Sequence, residues 1–390
     1  MNFDKLQKTG EILDQQVAEG QVTGGAVLVL KDGEEIYRHH VGLADQERQI
    51  PIANDTIYRI YSMSKPITAA AVMLLYDQGK LDLYDHVSWY LKGFENPQVY
   101  TEEGYVPAKR EIKIRDLLDM TAGLCYPGEG RVERKMAEIY DAVGRESEQG
   151  AVICTRELME RAAGAPLAFH PGERWMYGIS TDVAGALIEA VSGMRFSEFL
   201  KKELFDPLEM ADTGFFVPKE KQERLSQIYI WSQERKRLEI LNWQHLGLRG
   251  FFKEPPAFES GGGGMVSTID DYAHFAAMMM HRGIWKGHRL LSENAIQYMT
   301  TNHLDATQIQ SYNWENFAGY GYGCFNRVMI DKNLAGGVGN LGEYGWDGWA
   351  GTYYSNDPVD KITLLYMVQR VDGVGIRPIR LMKQRIYAAL

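Results

Sequence analysis

Residues 61–66 read Tyr-Ser-Met-Ser-Lys-Pro and open an apolar run from Ile67 to Tyr76. Residues three apart on a helix share a face, so Ser62 and Lys65 set a hydroxyl and an amine one turn apart. A lysine held without its full hydration takes the serine proton and leaves an alkoxide for acyl transfer. The spacing alone is a weak signal, since roughly one chance Ser-x-x-Lys is expected in a chain of this length. Its setting adds to it. Pro66 disfavours a helical Lys65 and removes a backbone donor early in the helix, and local conflicts of this kind collect at functional sites.

With 390 residues, 45% of them hydrophobic and 11% aromatic, the chain can bury a large core as one unit or two lobes. Its longest apolar stretches, such as Ala69 to Tyr76 and Ala276 to Met280, fall far short of a membrane span. The opening MNFDKLQKTG lacks the apolar core of a signal peptide, so a cytoplasmic location is expected. Cys125, Cys154 and Cys324 form neither an even disulfide set nor a Cys-x-x-Cys motif and are expected to be free thiols. A net charge of -10, with no basic run longer than Arg235-Lys236-Arg237, gives little footprint for nucleic acid or an anionic membrane. The expected partner is a small molecule.

Outward from the Ser62 segment, residues 3 to 18 carry apolar side chains at helical spacing, and Gly24 to Gly42 reads as a hairpin turning across Lys-Asp-Gly-Glu. After Gly79-Lys80-Leu81-Asp82, helical segments dominate to about Leu208, among them Ile114 to Met120 and Thr181 to Val191. The Gly261 to Gly264 run marks a flexible or close-packed crossing. Ser267 to Met280 then reads as helix, Tyr353 to Gln369 as strand and Val371 to Ala389 as helix. The economical arrangement is an α+β fold: an α/β lobe built from residues 1–85 and 265–390, a mainly helical lobe from 86–264, and a cleft between them.

Two further stretches carry candidate chemistry. Tyr177 follows the Pro171-Gly172 turn just before a helix, where a loop residue faces a cleft; the plainer reading is a core tyrosine, one of 22. Gly345-Trp-Asp-Gly-Trp-Ala-Gly-Thr352 brings glycines to the start of a strand, where backbone approaches a ligand; the plainer reading is a tight turn at a sheet edge. Other motifs fail on context. Gly337-Val-Gly339-Asn-Leu-Gly342 spells a dinucleotide fingerprint with no helix after it. The nine histidines include no His-Glu-x-x-His, so no metal is expected. No Gly-x-Ser-x-Gly elbow occurs, which leaves lysine or tyrosine to serve a serine nucleophile.

Taken in order, these segments resemble the serine β-lactamase and penicillin-binding-protein superfamily, in its class C-like branch with the family VIII carboxylesterases. The resemblance runs through Gly79-Lys-Leu-Asp-Leu-Tyr-Asp85, Ile112-Lys-Ile-Arg-Asp-Leu-Leu-Asp-Met-Thr-Ala-Gly-Leu124, Pro207-Leu-Glu-Met-Ala-Asp-Thr-Gly214, Gly261-Gly-Gly-Gly-Met-Val-Ser-Thr268 and Gly348-Trp-Ala-Gly-Thr352. It implies an antiparallel sheet flanked by helices beside a helical domain. It also implies Ser62 as the acylated nucleophile, Lys65 as its amine, and Tyr177 as the proton relay. The backbone N–H groups of Ser62 and Trp349 become the oxyanion hole. No cofactor is implied.

The departures from that pattern bear on substrate. Trp346-Asp347-Gly348 stands where relatives carry Lys-Thr-Gly or His-x-Gly, and Ile179 stands where the class C Tyr-x-Asn triad has an amide. A carboxylate-binding cation and an acylamino-binding amide are both lost, so the expected substrate is a neutral ester, with weak or no β-lactamase activity. A peptidase, an acyltransferase or a once-acylated sensor without turnover are the alternatives. A tyrosine of ordinary pKa near 10 with Lys65 as its nearest cation further suggests an alkaline optimum.

Overall fold

Eight strands form one antiparallel sheet: β1 (Gly24–Lys31), β2 (Glu34–Asp45), β3 (Ile50–Pro51), β4 (Tyr320–Tyr322), β5 (Arg327–Met329), β6 (Tyr344–Asp347), β7 (Tyr353–Asp357) and β8 (Ile362–Val368). The computed structural model describes residues 2–243, 245–248, 250–371 and 373–390. The strand order β4-β5-β6-β7-β8-β1-β2-β3 makes neighbours of the first and last strands of the chain. Gly25 pairs with Val368 and Lys31 with Ile362 along that seam.

β1 reads as an unbroken apolar run because both of its faces are covered. Val27 and Val29, with Leu364, Tyr366 and Val368 of β8, meet Leu13, Ile379, Met382 and Ile386. Those last four come from α1 (Gly10–Ala18) and the C-terminal helix Arg377–Tyr387. Ala26, Leu28, Leu30, Leu365 and Met367 alternate to the opposite face. There they join the main core with α2 (Ser64–Asp77), α3 (Ser180–Ser192) and α4 (Ile269–Met280). α2 and α3 pack side by side, and both carry buried core alanines, among them Ala69, Ala70, Ala184 and Ala186.

The expected hairpin at 24–42 and the helix after Ser62 are both present. The single helix expected over 3–18 is instead two, Phe3–Gln7 and Gly10–Ala18. Gly10 is the reason, as a Cβ there would meet Tyr37 Oη at 2.3 Å and His39 Cδ2 at 2.7 Å. The helix can approach β2 closely only at a glycine, a poor helix residue. Within 86–264 the helices are accompanied by two hairpins that helical spacing did not foretell, Gln98–Thr101 with Gly104–Pro107 and Tyr229–Ser232 with Arg237–Ile240. No helix among the described residues is long and apolar enough to cross a membrane.

Leu365 is fully buried between sheet and helices. Leu365→Ala should cost about 2–5 kcal/mol, read as a lower urea midpoint at unchanged slope.

Candidate active site

The chain reaches Ser62 through a strained turn. Tyr61 holds φ at +40°, a conformation that a bulky residue keeps only when its surroundings fix it. Here Trp349 and Phe252 pack edge-on against its ring, with centroids 5.2 and 5.8 Å away. Residues Tyr61–Met63 make a single 3₁₀ turn and α2 starts at Ser64. Pro66 is therefore the third residue of α2, where a backbone N–H has no intrahelical acceptor to lose. The conflict between Lys65 and Pro66 resolves without a broken hydrogen bond.

Lys65 is fully buried. Its Nζ lies 3.1 Å from Ser62 Oγ, 3.1 Å from Tyr126 Oη and 2.6 Å from the Gly262 carbonyl oxygen. Loss of hydration brings its pKa down to about 7, against the opposing fields of Asp182 and Asp347. A neutral amine has two protons, which Tyr126 Oη and the Gly262 carbonyl accept, so its lone pair is left for the Ser62 hydroxyl proton. Tyr177 Oη donates to Ser62 Oγ at 2.7 Å and accepts from Trp346 Nε1 at 3.4 Å. Burial pushes the Tyr177 phenol well up, outweighing these hydrogen bonds. The dry pocket does not favour the alkaline optimum expected of a tyrosine with an ordinary pKa: burial disfavours both charged forms, raising the Tyr177 phenol and lowering Lys65 to about 7.

Close backbone contacts set these groups in place. A Cβ on Gly178 would lie 1.9 Å from the Leu124 carbonyl oxygen, so the Tyr177 loop rests directly on that segment. Met176 N–H donates to the Met120 carbonyl at 2.9 Å in the same seam. Gly348 packs on the Ser62 turn in the same way, for its Cβ would meet the Ile60 carbonyl oxygen at 2.4 Å. Neither the Ser62 nor the Trp349 N–H donates to a backbone carbonyl among the described residues.

Ser62, Tyr177, Trp346, Asp347, Gly348 and Trp349 all border one cavity of about 390 Å³. Ile179 does not: it is fully buried in the main core at the start of α3, so its side chain cannot contact a substrate in that cavity as expected. Asp347 accepts from the buried Arg327 Nη1 at 2.5 Å, and Arg327 Nη2 donates to the Tyr354 carbonyl at 3.2 Å. Arg327 is therefore engaged and does not stand in for the missing lysine. No lysine or arginine borders the cavity among the described residues, whereas Tyr61, Tyr126, Trp314 and His245 do.

Sequence reasoning missed Tyr126, two residues beyond the Leu124 that ends a quoted motif, and Asp182, five residues after Tyr177. It noted the Gly261–Gly264 crossing but not the Gly262 carbonyl on Lys65. Away from the cavity, Asp119, His303 and Cys324 bring donor atoms within 4.8 Å of one another. His303 Nδ1 and Asp119 Oδ1 are 2.6 Å apart, and Arg115 lies 3.6 Å from the other Asp119 oxygen. A guanidinium on that carboxylate opposes a divalent cation, so the trio reads as a structural network.

The Beta-lactamase family model matches residues 10–389. The chain is 30% identical to Protein Rv1367c of Mycobacterium tuberculosis over 96% of its own length and 92% of the relative's. It is 32% identical to Esterase EstB of Burkholderia gladioli, over 67% of this chain and 66% of that one. The solved structure of EstCE1, described as a hydrolase with promiscuous acyltransferase activity, superposes with a TM-score of 0.82 at 26% identity, covering 98% of this chain and 99% of that one.

Gly348→Ala should destabilise the protein by about 1–3 kcal/mol through overpacking. It should also stop labelling of Ser62 by a fluorophosphonate, seen as the missing mass adduct.

Proposed function

The chain belongs to the beta-lactamase family, and from that premise we propose that this serine hydrolase is a carboxylesterase working on neutral esters through an acyl-enzyme at Ser62. One observation carries the substrate class: an aromatic cavity beside Ser62 with no lysine or arginine side chain at its border among the described residues. Among the described residues an anionic acyl donor finds no lysine or arginine at that border, and Arg327 is buried against Asp347. The likeness to Esterase EstB supports the same reading.

In the first half-reaction Lys65 takes the Ser62 proton as Oγ attacks the ester carbonyl. The N–H groups of Ser62 and Trp349 receive the charge that develops on the carbonyl oxygen. As the tetrahedral intermediate collapses, the Tyr177 hydroxyl, bonded to Oγ, hands its proton to the departing alkoxide and is reprotonated from Lys65. Water then enters, loses its proton along the same route, and attacks the acyl carbon. Ser62 recovers its proton as the acid leaves. An alcohol entering in place of water would give acyl transfer, the activity named for the EstCE1 structure.

In this reading the reacting groups come from both the α/β lobe, residues 1–85 and 265–390, and the mainly helical lobe, residues 86–264. The partner is the small acyl donor, and three unpaired cysteines support a cytoplasmic setting.

The decisive experiment is steady-state hydrolysis of a short-chain nitrophenyl ester by wild type and Ser62→Ala. The substitution should lower kcat/KM at least about a thousandfold with an unchanged circular dichroism spectrum; equal activity in both proteins would refute the assignment. Penicillin cleaved faster than the neutral ester would refute the substrate class. The pH profile tests the base. With the free amine of Lys65 required, kcat/KM should climb about tenfold per pH unit below about 7 and level off above it, whereas a rise continuing beyond pH 9 would restore the phenolate.

A further inference from the structure

We propose that Asp182 is a positioning residue for Lys65, acting through Gly262 and through its own buried negative charge. The inference rests on the reading of Lys65 as the base and adds a residue that neither reacts nor touches Ser62.

Asp182 is the third residue of α3 and is 2% exposed. Its Oδ1 accepts from Ser260 Oγ at 2.6 Å and from the Gly262 N–H at 3.0 Å. The carbonyl of that same Gly262 accepts from Lys65 Nζ at 2.6 Å. One glycine therefore holds the carboxylate with its donor and the amine with its acceptor. The approach is tight, because a Cβ there would come within 3.2 Å of both Asp182 oxygens and 3.0 Å of Tyr126 Oη. Ser260 Oγ also accepts from the Gly263 N–H at 3.1 Å, so Asp182 organises the whole crossing above the lysine.

The charge matters as much as the hydrogen bonds. Around Lys65 stand the hydroxyls of Ser62, Tyr126 and Tyr177 and the ionisable Asp182, Asp347 and His245. Asp347 is engaged by Arg327, and burial pushes His245 towards its neutral form. Asp182 is the foremost charge opposing the dehydration of Lys65. Burial raises the Asp182 carboxyl above its ordinary range, opposed by the hydrogen bonds from Ser260 and the Gly262 N–H and by the field of Lys65, with the tyrosines 126, 140 and 177 nearby. Removing the carboxylate charge therefore lets Lys65 lose its proton at lower pH.

The test measures the rate of Ser62 inactivation by a neutral fluorophosphonate from pH 5.5 to 9 in wild type and Asp182→Asn. Asparagine keeps the shape and drops the charge. The rate plateau should fall, because the crossing loosens. The rising limb should move to lower pH, so that the rate at pH 6 as a fraction of the plateau grows about twofold or more. A lower plateau with an unmoved limb would mean a structural role only and overturns the proposal. A wild type with no rising limb near pH 7 overturns both this inference and the assignment of Lys65 as base, which separates the two failures. If Asp182→Asn does not fold, Ser260→Ala takes its place. It strips one donor from the carboxylate and should move the limb the same way by less, and an unmoved limb again overturns the proposal.

Discussion

The Lys65 amine lies where water does not reach, and the rest of the site follows from that dehydration. Lowering its pKa from an ordinary 10.5 to about 7 corresponds to roughly 5 kcal/mol against the ammonium form. The unfolded chain binds that proton up to about pH 10 while the folded one gives it up near 7, so unfolding takes up a proton between these values. The penalty Lys65 places on stability is thus full below pH 7 and fades as pH rises towards 10.5. The same dryness acts on Tyr177 with the opposite sign, holding its phenol protonated. A neutral amine and a neutral phenol on either side of Ser62 Oγ give the proton one direction of travel.

Keeping a side chain so dry requires backbone on every side, which is why glycines and one strained tyrosine converge here. Gly178, Gly262 and Gly348 belong to three segments distant in sequence; Gly178 and Gly348 come too close to backbone for a Cβ to fit, and Gly262 is tightly packed against Tyr126 and Asp182. Tyr61 accepts φ of +40° immediately before Ser62, braced by Trp349 from the loop after β6. None of these contacts holds alone. The main core, continuous from β1 and β8 through α2, α3 and α4, keeps them from relaxing.

Much of this was legible in the chain. The 24–42 hairpin announced itself through apolar alternation around a turn, and Ser62, Lys65 and Tyr177 through short linear patterns. What escaped is non-local. Tyr126 and Gly262 meet Lys65 from 61 and 197 residues away, and no spacing within one segment encodes such a meeting. Ile179 misled because a position beside a polar residue in a motif suggests a shared cavity, whereas the first turn of α3 turns it into the core. The alkaline optimum misled for a related reason: residue identity gives a tyrosine's ordinary pKa, while the environment that moves it exists only after folding.

Residue 346 ties base and substrate together. A lysine there would put a full charge beside Tyr177 Oη, favouring the phenolate and offering an anion a place to bind. The indole of Trp346 supplies one neutral donor at 3.4 Å and an apolar wall instead. The buried Arg327 faces Asp347 and the Tyr354 carbonyl, so it replaces neither service. Among the described residues no lysine or arginine borders the cavity, so neither a phenolate at Tyr177 nor a bound carboxylate has a cation there beyond Lys65. In the proposed reading, residue 346 thus bears on both the identity of the base and the charge of the substrate.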